Sequence, residues 1–230
     1  MKWKKTIMSN FPSQIQVVDS LLQGIQNAEK NFLFWTNNRL SLSSGPQKIL
    51  SIHVAQELSL MPYAPEVFID ATVADILRCS LPDRKAFKVY MESNALSQGI
   101  FGITLDERFA HHSNNDSISR VIISVHNGVR NVKSEYTHEI ERLCKMLHKV
   151  REEKSTLEYG VFAFYADISV MARKKLEKRI QEILASFNAV VGHFPSLKAR
   201  FESTALKMVP EVGEWIAGCY IIEPKESTPQ

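Results

Sequence analysis

The run Val161-Phe-Ala-Phe, inside residues 157–165, carries apolar side chains at successive positions instead of alternate ones. Successive side chains of a β-strand point to opposite faces, so such a strand is buried on both sides. A sheet built round it needs cover on each face, which is the layered α/β arrangement. Amphipathic helices supply the cover. Residues 134–150 place Ile140, Leu143, Cys144 and Leu147 on one side, and residues 14–30 place Ile15, Val18, Leu21, Leu22, Ile25 and Ala28 at helical spacing.

Turn residues set the order of elements. Ser43-Ser-Gly-Pro marks a break, and Pro46 suits the first turn of a helix over residues 47–60. Met61-Pro-Tyr-Ala-Pro then leads into a strand, Glu66-Val-Phe-Ile-Asp. Helical stretches near residues 73–77 and 84–90 precede a second strand, Gly99-Ile-Phe-Gly-Ile-Thr-Leu. Asp106 and Glu107 open a solvated loop that contains His111 and His112, and a third strand covers residues 119–126. The central order is therefore helix, three strands, helix, strand. Beyond it, Leu176, Ile180, Ile183, Leu184 and Phe187 predict a further helix that includes Arg173 and Lys174. Leu197, Phe201 and Leu206 predict another within residues 188–209, and Glu214-Trp-Ile-Ala-Gly-Cys-Tyr-Ile-Ile reads as a last strand at the sheet edge, where a second copy can pair. The aromatics Phe32, Phe34 and Trp35 follow an apolar helix stripe and read as core.

Composition narrows the class. A chain of 230 residues suits one large α/β domain with a helical extension better than two independent domains. We read residues 1–45 as an N-terminal helical segment, 46–223 as the α/β domain and 224–230 as a frayed tail. With 44% hydrophobic and 23% charged residues, neither disorder nor a membrane protein is expected, and no apolar run has the length of a membrane span. The basic start runs into Ser-Asn-Phe-Pro instead of an apolar signal core, so a cytoplasmic protein is expected. Three widely separated cysteines, Cys79, Cys144 and Cys219, fit neither a disulfide framework nor a paired-cysteine zinc site. A net charge of +3 does not by itself demand a nucleic-acid partner.

The segment Val121-Ile-Ile-Ser-Val-His-Asn-Gly, with Ile49-Leu-Ser-Ile-His-Val-Ala-Gln-Glu-Leu, Val67-Phe-Ile-Asp, Ile100-Phe-Gly-Ile-Thr-Leu, Glu139-Ile-Glu-Arg-Leu-Cys and Glu158-Tyr-Gly-Val-Phe-Ala-Phe-Tyr, resembles the PD-(D/E)XK, or restriction-endonuclease-like, nucleases. The resemblance covers roughly residues 49–165 and rests on order and spacing. It implies a three-layer αβββαβ core and a metal-dependent phosphodiesterase, in which an aspartate and a glutamate hold magnesium and a lysine positions the nucleophile. The family's aspartate falls on Gly102, its glutamate on Ser124 and its lysine on His126; Asp70 alone, at the auxiliary acid, keeps its chemistry. The resemblance thus implies a nuclease scaffold with a degenerate motif and no cofactor.

Three functional readings follow. The first is an inactive nuclease-like module that binds nucleic acid, DNA for example, or a partner. Its cationic contacts would come from Arg84, Lys85 and Lys88, from Arg173, Lys174 and Lys178, and from the smaller cluster Lys2, Lys4 and Lys5. The second is an active nuclease whose magnesium or manganese has moved to Asp70, Asp106 and His126. The third is a protein-interaction subunit of a restriction or defence assembly, or a homodimer, that uses the fold only as scaffold.

Overall fold

The computed structural model describes residues 11–82, 84–93, 99–107, 117–148 and 155–225. The chain runs through α1 (Gln14–Trp35), a 3-10 turn at Leu42–Ser44, α2 (Gln47–Ser59), β1 (Glu66–Thr72), α3 (Val73–Ser80), α4 (Arg84–Ser93), β2 (Ile100–Glu107) and β3 (Ile118–His126). It continues through α5 (Ser134–Leu147), β4 (Tyr159–Ser169), α6 (Leu176–Val191), β5 (Leu197–Ser203), β6 (Lys207–Val209) and β7 (Gly213–Pro224). One mixed sheet has the order β1-β2-β3-β4-β7-β5, with β6 also paired to β7. β3 and β4 are parallel, and every other pair is antiparallel. Among the described residues no helix is long and apolar enough to cross a membrane.

β4 behaves as its sequence dictates. Every residue of it except Ser169 is buried. Val161, Ala163 and Tyr165 pack toward α1 and α2, whereas Phe162, Phe164 and Ala166 pack toward α5 and α6. A helical layer on each face is the physical answer to a strand with no polar side. On the first layer, Val18, Leu21, Ile25 and Ala28 of α1 meet Leu50, Val54 and Leu58 of α2 in the same apolar cluster as the sheet. Ser13 caps α1, taking the Gln16 amide at 3.4 Å while the Gln16 side chain accepts the Ser13 amide at 2.9 Å.

The structure corrects several expectations. α1 continues to Trp35, so Phe32 stays on the buried stripe but Phe34 and Trp35 rotate off it, to 78% and 59% exposure. The helix expected around Leu197 and Phe201 is a strand: Leu197, Ala199 and Phe201 share one face of β5, and a spacing of four fits both a helix and a strand. β7 is consequently interior, between β4 and β5, and β5 and β1 end the main path of the sheet. Arg173 and Lys174 lie before α6, whose first turn holds Lys178. Asp106 and Glu107 belong to β2, and Asp106 is buried. His111, His112, the cluster at Lys2, Lys4 and Lys5, and residues 226–230 of the expected tail lie outside the described residues.

The two helices of the first layer meet where α1 has no side chain. A Cβ added at Gly24 would stand 2.6 Å from the Val54 Cα and 3.0 Å from the His53 carbonyl oxygen. Backbone on both sides leaves no rotamer escape, so Gly24→Ala is expected to destabilise the fold by roughly 1–3 kcal/mol despite alanine's better helix propensity, read as a lower urea midpoint.

Candidate functional site at the open end of the sheet

The β2–β3 ladder runs from Glu107↔Ile118 to Ile103↔Ile123 and ends there. Beyond its last pair, the Val125 carbonyl and the Asn127 amide face α2 in place of a neighbouring strand. The Gln47 side chain satisfies both: its Nε2 donates to Val125 O at 2.5 Å and its Oε1 accepts the Asn127 N–H at 2.8 Å. Asn127 Nδ2 in turn donates to Leu42 O at 2.8 Å. An opening is thereby held between the start of β2, the end of β3, α2 and α5.

Asp70, Gly102, Ser124 and His126 line this opening, a cavity of about 210 Å³, with Lys48 and Glu139. The four positions singled out in the sequence are thus neighbours. A Cβ on Gly102 would lie 3.4 Å from both Ile123 O and Val125 N, which sets it beside Ser124. Asp70 sits opposite the same point on β1 in a left-handed conformation, φ 59°, and the β1–β2 ladder skips it between Ile69↔Ile103 and Ala71↔Phe101. Asp70 pairs with Lys48 from α2. Both side chains are well exposed, 44% and 67%, so the pair adds little stability.

The larger charges come from α5, three residues apart on one helical face. Ser124 Oγ donates to Glu139 Oε2 at 3.0 Å, and Arg142 Nη1 donates to Glu139 Oε1 at 2.5 Å. With the serine proton given to the carboxylate, the 2.9 Å contact between His126 Nε2 and Ser124 Oγ is a bond donated by the imidazole. Arg142 is itself fixed, donating to Ile100 O at 3.0 Å with its guanidinium 4.6 Å from the Phe101 ring centre. The result is a closed chain, His126 to Ser124 to Glu139 to Arg142.

His126 stacks on Phe162 at 4.4 Å and meets the edge of Tyr136 at 5.5 Å. Burial among these rings lowers its pKa from 6.5 to about 4, against the opposing influence of Glu139 and Glu135. The imidazole is neutral at pH 7 and supplies no positive charge. Positive charge comes instead from Lys48, which lines the cavity, and from Arg142, which pairs with the lining residue Glu139.

Asp106 does not join this group. It lines a separate cavity of about 300 Å³, and its Oδ2 accepts the Ser117 hydroxyl at 2.8 Å. The set Asp70, Asp106 and His126 is therefore not assembled as a metal site. Within the cavity, both Glu139 oxygens are engaged and Asp70 is paired. Among the described residues no group of three or more His, Cys, Asp or Glu side chains is placed to hold a metal ion. Among the described residues Cys79, Cys144 and Cys219 form no disulfide, and the last two are buried.

The cations divide between two elements. Arg84, Lys85 and Lys88 are exposed on α4. Arg173, Lys174, Lys175 and Lys178 surround a shallow depression before and on the first turn of α6, with Lys174 paired to Glu182. Because β3 and β4 are parallel, His126 and the basic segment after Ser169 lie at the same end of the sheet. Arg179 strengthens that link, donating to Arg130 O at 3.2 Å and Asn131 Oδ1 at 2.5 Å.

Sequence reasoning missed Gln47, Lys48, Glu139 and Arg142 as site residues. The available signal was the Glu139/Arg142 spacing on the helix that follows the Ser-Val-His strand. Comparisons with protein-family models, curated proteins and solved structures find no match for this chain.

Two outcomes are expected. Glu139→Ala leaves the Arg142 guanidinium, only 14% exposed, without its counter-charge, and lowers unfolding free energy by about 2–4 kcal/mol in urea titrations. The unfolded state takes a proton on His126 from pH 6.5 downward, whereas the folded state resists to about 4. Stability present above pH 6.5 is therefore lost toward pH 4, by about 2–3 kcal/mol. Glu29 acts in the opposite sense: burial raises its pKa from 4.5 to about 7, so its contribution is present below 4.5 and lost as pH rises. The His126 effect is accordingly read as the difference between the unmodified protein and His126→Gln across pH 4–7.

Proposed function

We propose that this chain is a restriction-endonuclease-like protein whose hydrolytic centre is silent and which binds nucleic acid through the basic surface at the open end of its sheet. The order α2, β1, β2, β3, α5, β4, an antiparallel meander followed by a helical crossover to a parallel strand, supports the αβββαβ reading, with α3 and α4 inserted between β1 and β2. One observation carries the silent centre: the carboxylate beside the vacated glutamate position, Glu139, is already neutralised by Arg142 and hydrogen-bonded by Ser124. A divalent ion at that point would compete with a guanidinium held by three separate contacts. The neutral His126 offers no replacement for the family's lysine.

A second reading has one specific observation in its favour. Asp70 and Glu139 bring two carboxylates to one cavity, and Lys48 brings an ammonium group. This is the donor set of a relocated metal-dependent nuclease if Arg142 and Lys48 withdraw from their ion pairs.

Supercoiled plasmid with magnesium or manganese, against a chelator control, separates the two readings. No chelator-sensitive nicking is expected. Nicking that disappears in both Asp70→Ala and Glu139→Ala would establish the second. In parallel, binding to duplex DNA is expected to weaken steeply with salt. Arg173→Glu combined with Lys178→Glu should reduce it about tenfold or more and flatten the salt slope by roughly two. Absence of binding at low salt would overturn the nucleic-acid role and favour a protein-interaction scaffold.

A further inference from the structure

Asp106 is a buried acid that the site above does not use. It is 3% exposed and faces a cavity of about 300 Å³ formed by β1, α3 and the strands β2 and β3. Its Oδ2 accepts the Ser117 hydroxyl at 2.8 Å, and its Oδ1 has no hydrogen-bond partner. A buried carboxylate oxygen left unpaired is unfavourable, and native structures rarely keep one without a use.

The surroundings define what would pair with it. Phe68, Ile69, Ala71 and Ile76 make apolar walls, with Thr104 and Ser119 beside the acid. Among the described residues lining the cavity there is no Lys, Arg or His. The other acid there, Asp75, is engaged by Arg78 at 2.9 Å and by the Thr72 hydroxyl at 2.6 Å. Glu66, opposite Asp106 in the β1–β2 ladder, adds negative charge. Burial raises the Asp106 pKa while the Ser117 hydroxyl opposes it, so a cation at Oδ1 would favour the ionised form. Negative charge excludes an anion. A single carboxylate among apolar walls is a poor cage for a hard metal ion.

We propose that this cavity binds a small primary ammonium compound with an apolar body, the ammonium donating to Asp106 Oδ1 and the body packing on Phe68, Ile69 and Ile76. The volume suits a ligand of one ring, at the small end of known pockets. The proposal is independent of nuclease chemistry and of nucleic-acid binding.

Titration of the full chain with 2-phenylethylammonium, 2-phenylethanol and 3-phenylpropanoate, followed by calorimetry and amide NMR shifts, tests it. The ammonium probe is expected to bind about tenfold or more tighter than the alcohol, with shifts centred on β1, α3 and Ser117–Ser119, and the carboxylate probe is not expected to bind. Asp106→Asn should abolish the preference for the ammonium over the alcohol. Ala71→Met, which fills the cavity from its wall without touching the acid, should abolish binding of both. No binding of the ammonium probe, equal affinity for ammonium and alcohol, or binding that survives Ala71→Met would each overturn the proposal.

Discussion

The parallel pairing of β3 with β4 is the contact from which the rest of the architecture follows. Parallel neighbours cannot be joined by a tight turn, so the chain must cross over, and α5 is that crossover. The crossover covers one face of β4 and makes an apolar second face affordable only if other helices close it, which α1 and α2 do. It also leaves the ends of β3 and β4 pointing the same way. The groups at the open end, from His126 to the cations before α6, are there because those two strands run toward the same end of the sheet.

At that end, electrostatics works by internal pairing. Glu139 is matched by Arg142, Asp70 by Lys48, and the buried Asp167 by Arg130, which donates to both its oxygens at 2.8 and 2.9 Å. Each of these carboxylates is neutralised by a cation of the same chain. Burial beside Phe162 pushes the same way for His126 by favouring the uncharged ring.

Much of this was legible in the residues. The continuous apolar character of Val161 to Phe164 announced a strand with two covered faces, and turn residues fixed the order of helices and strands around it. The family resemblance picks out Asp70, Gly102, Ser124 and His126, strand alternation puts Ser124 and His126 on one face, and all four line one cavity. The failures have physical causes. Leu197 and Phe201 are four apart, a spacing that strand and helix share, so only pairing with β7 decides between them. Phe34 and Trp35 were judged by hydrophobicity when the phase of the helix decides their exposure. Glu139 and Arg142 look like ordinary surface residues of an amphipathic helix; what makes them site residues is the serine on a strand across the layer, a contact no local pattern encodes. Asp106 looked like the start of a loop because its burial depends on Ser117 and on the wall of α3, both contributed from elsewhere.

Gln47 has a role that outlasts any question of chemistry. A sheet zips until something stops it, and here the amide of one side chain imitates a peptide group closely enough to occupy the two positions that β2 would otherwise claim on β3. The cavity is therefore a wedge driven by α2, not a defect of the strands. Because that helix is seated on α1 through the close approach at Gly24, the width of the opening is set by helix packing on the far side of the core. A ligand that widened or narrowed it would do work against the α1–α2 interface, and amide exchange in α1 would register occupancy of a site that α1 does not line.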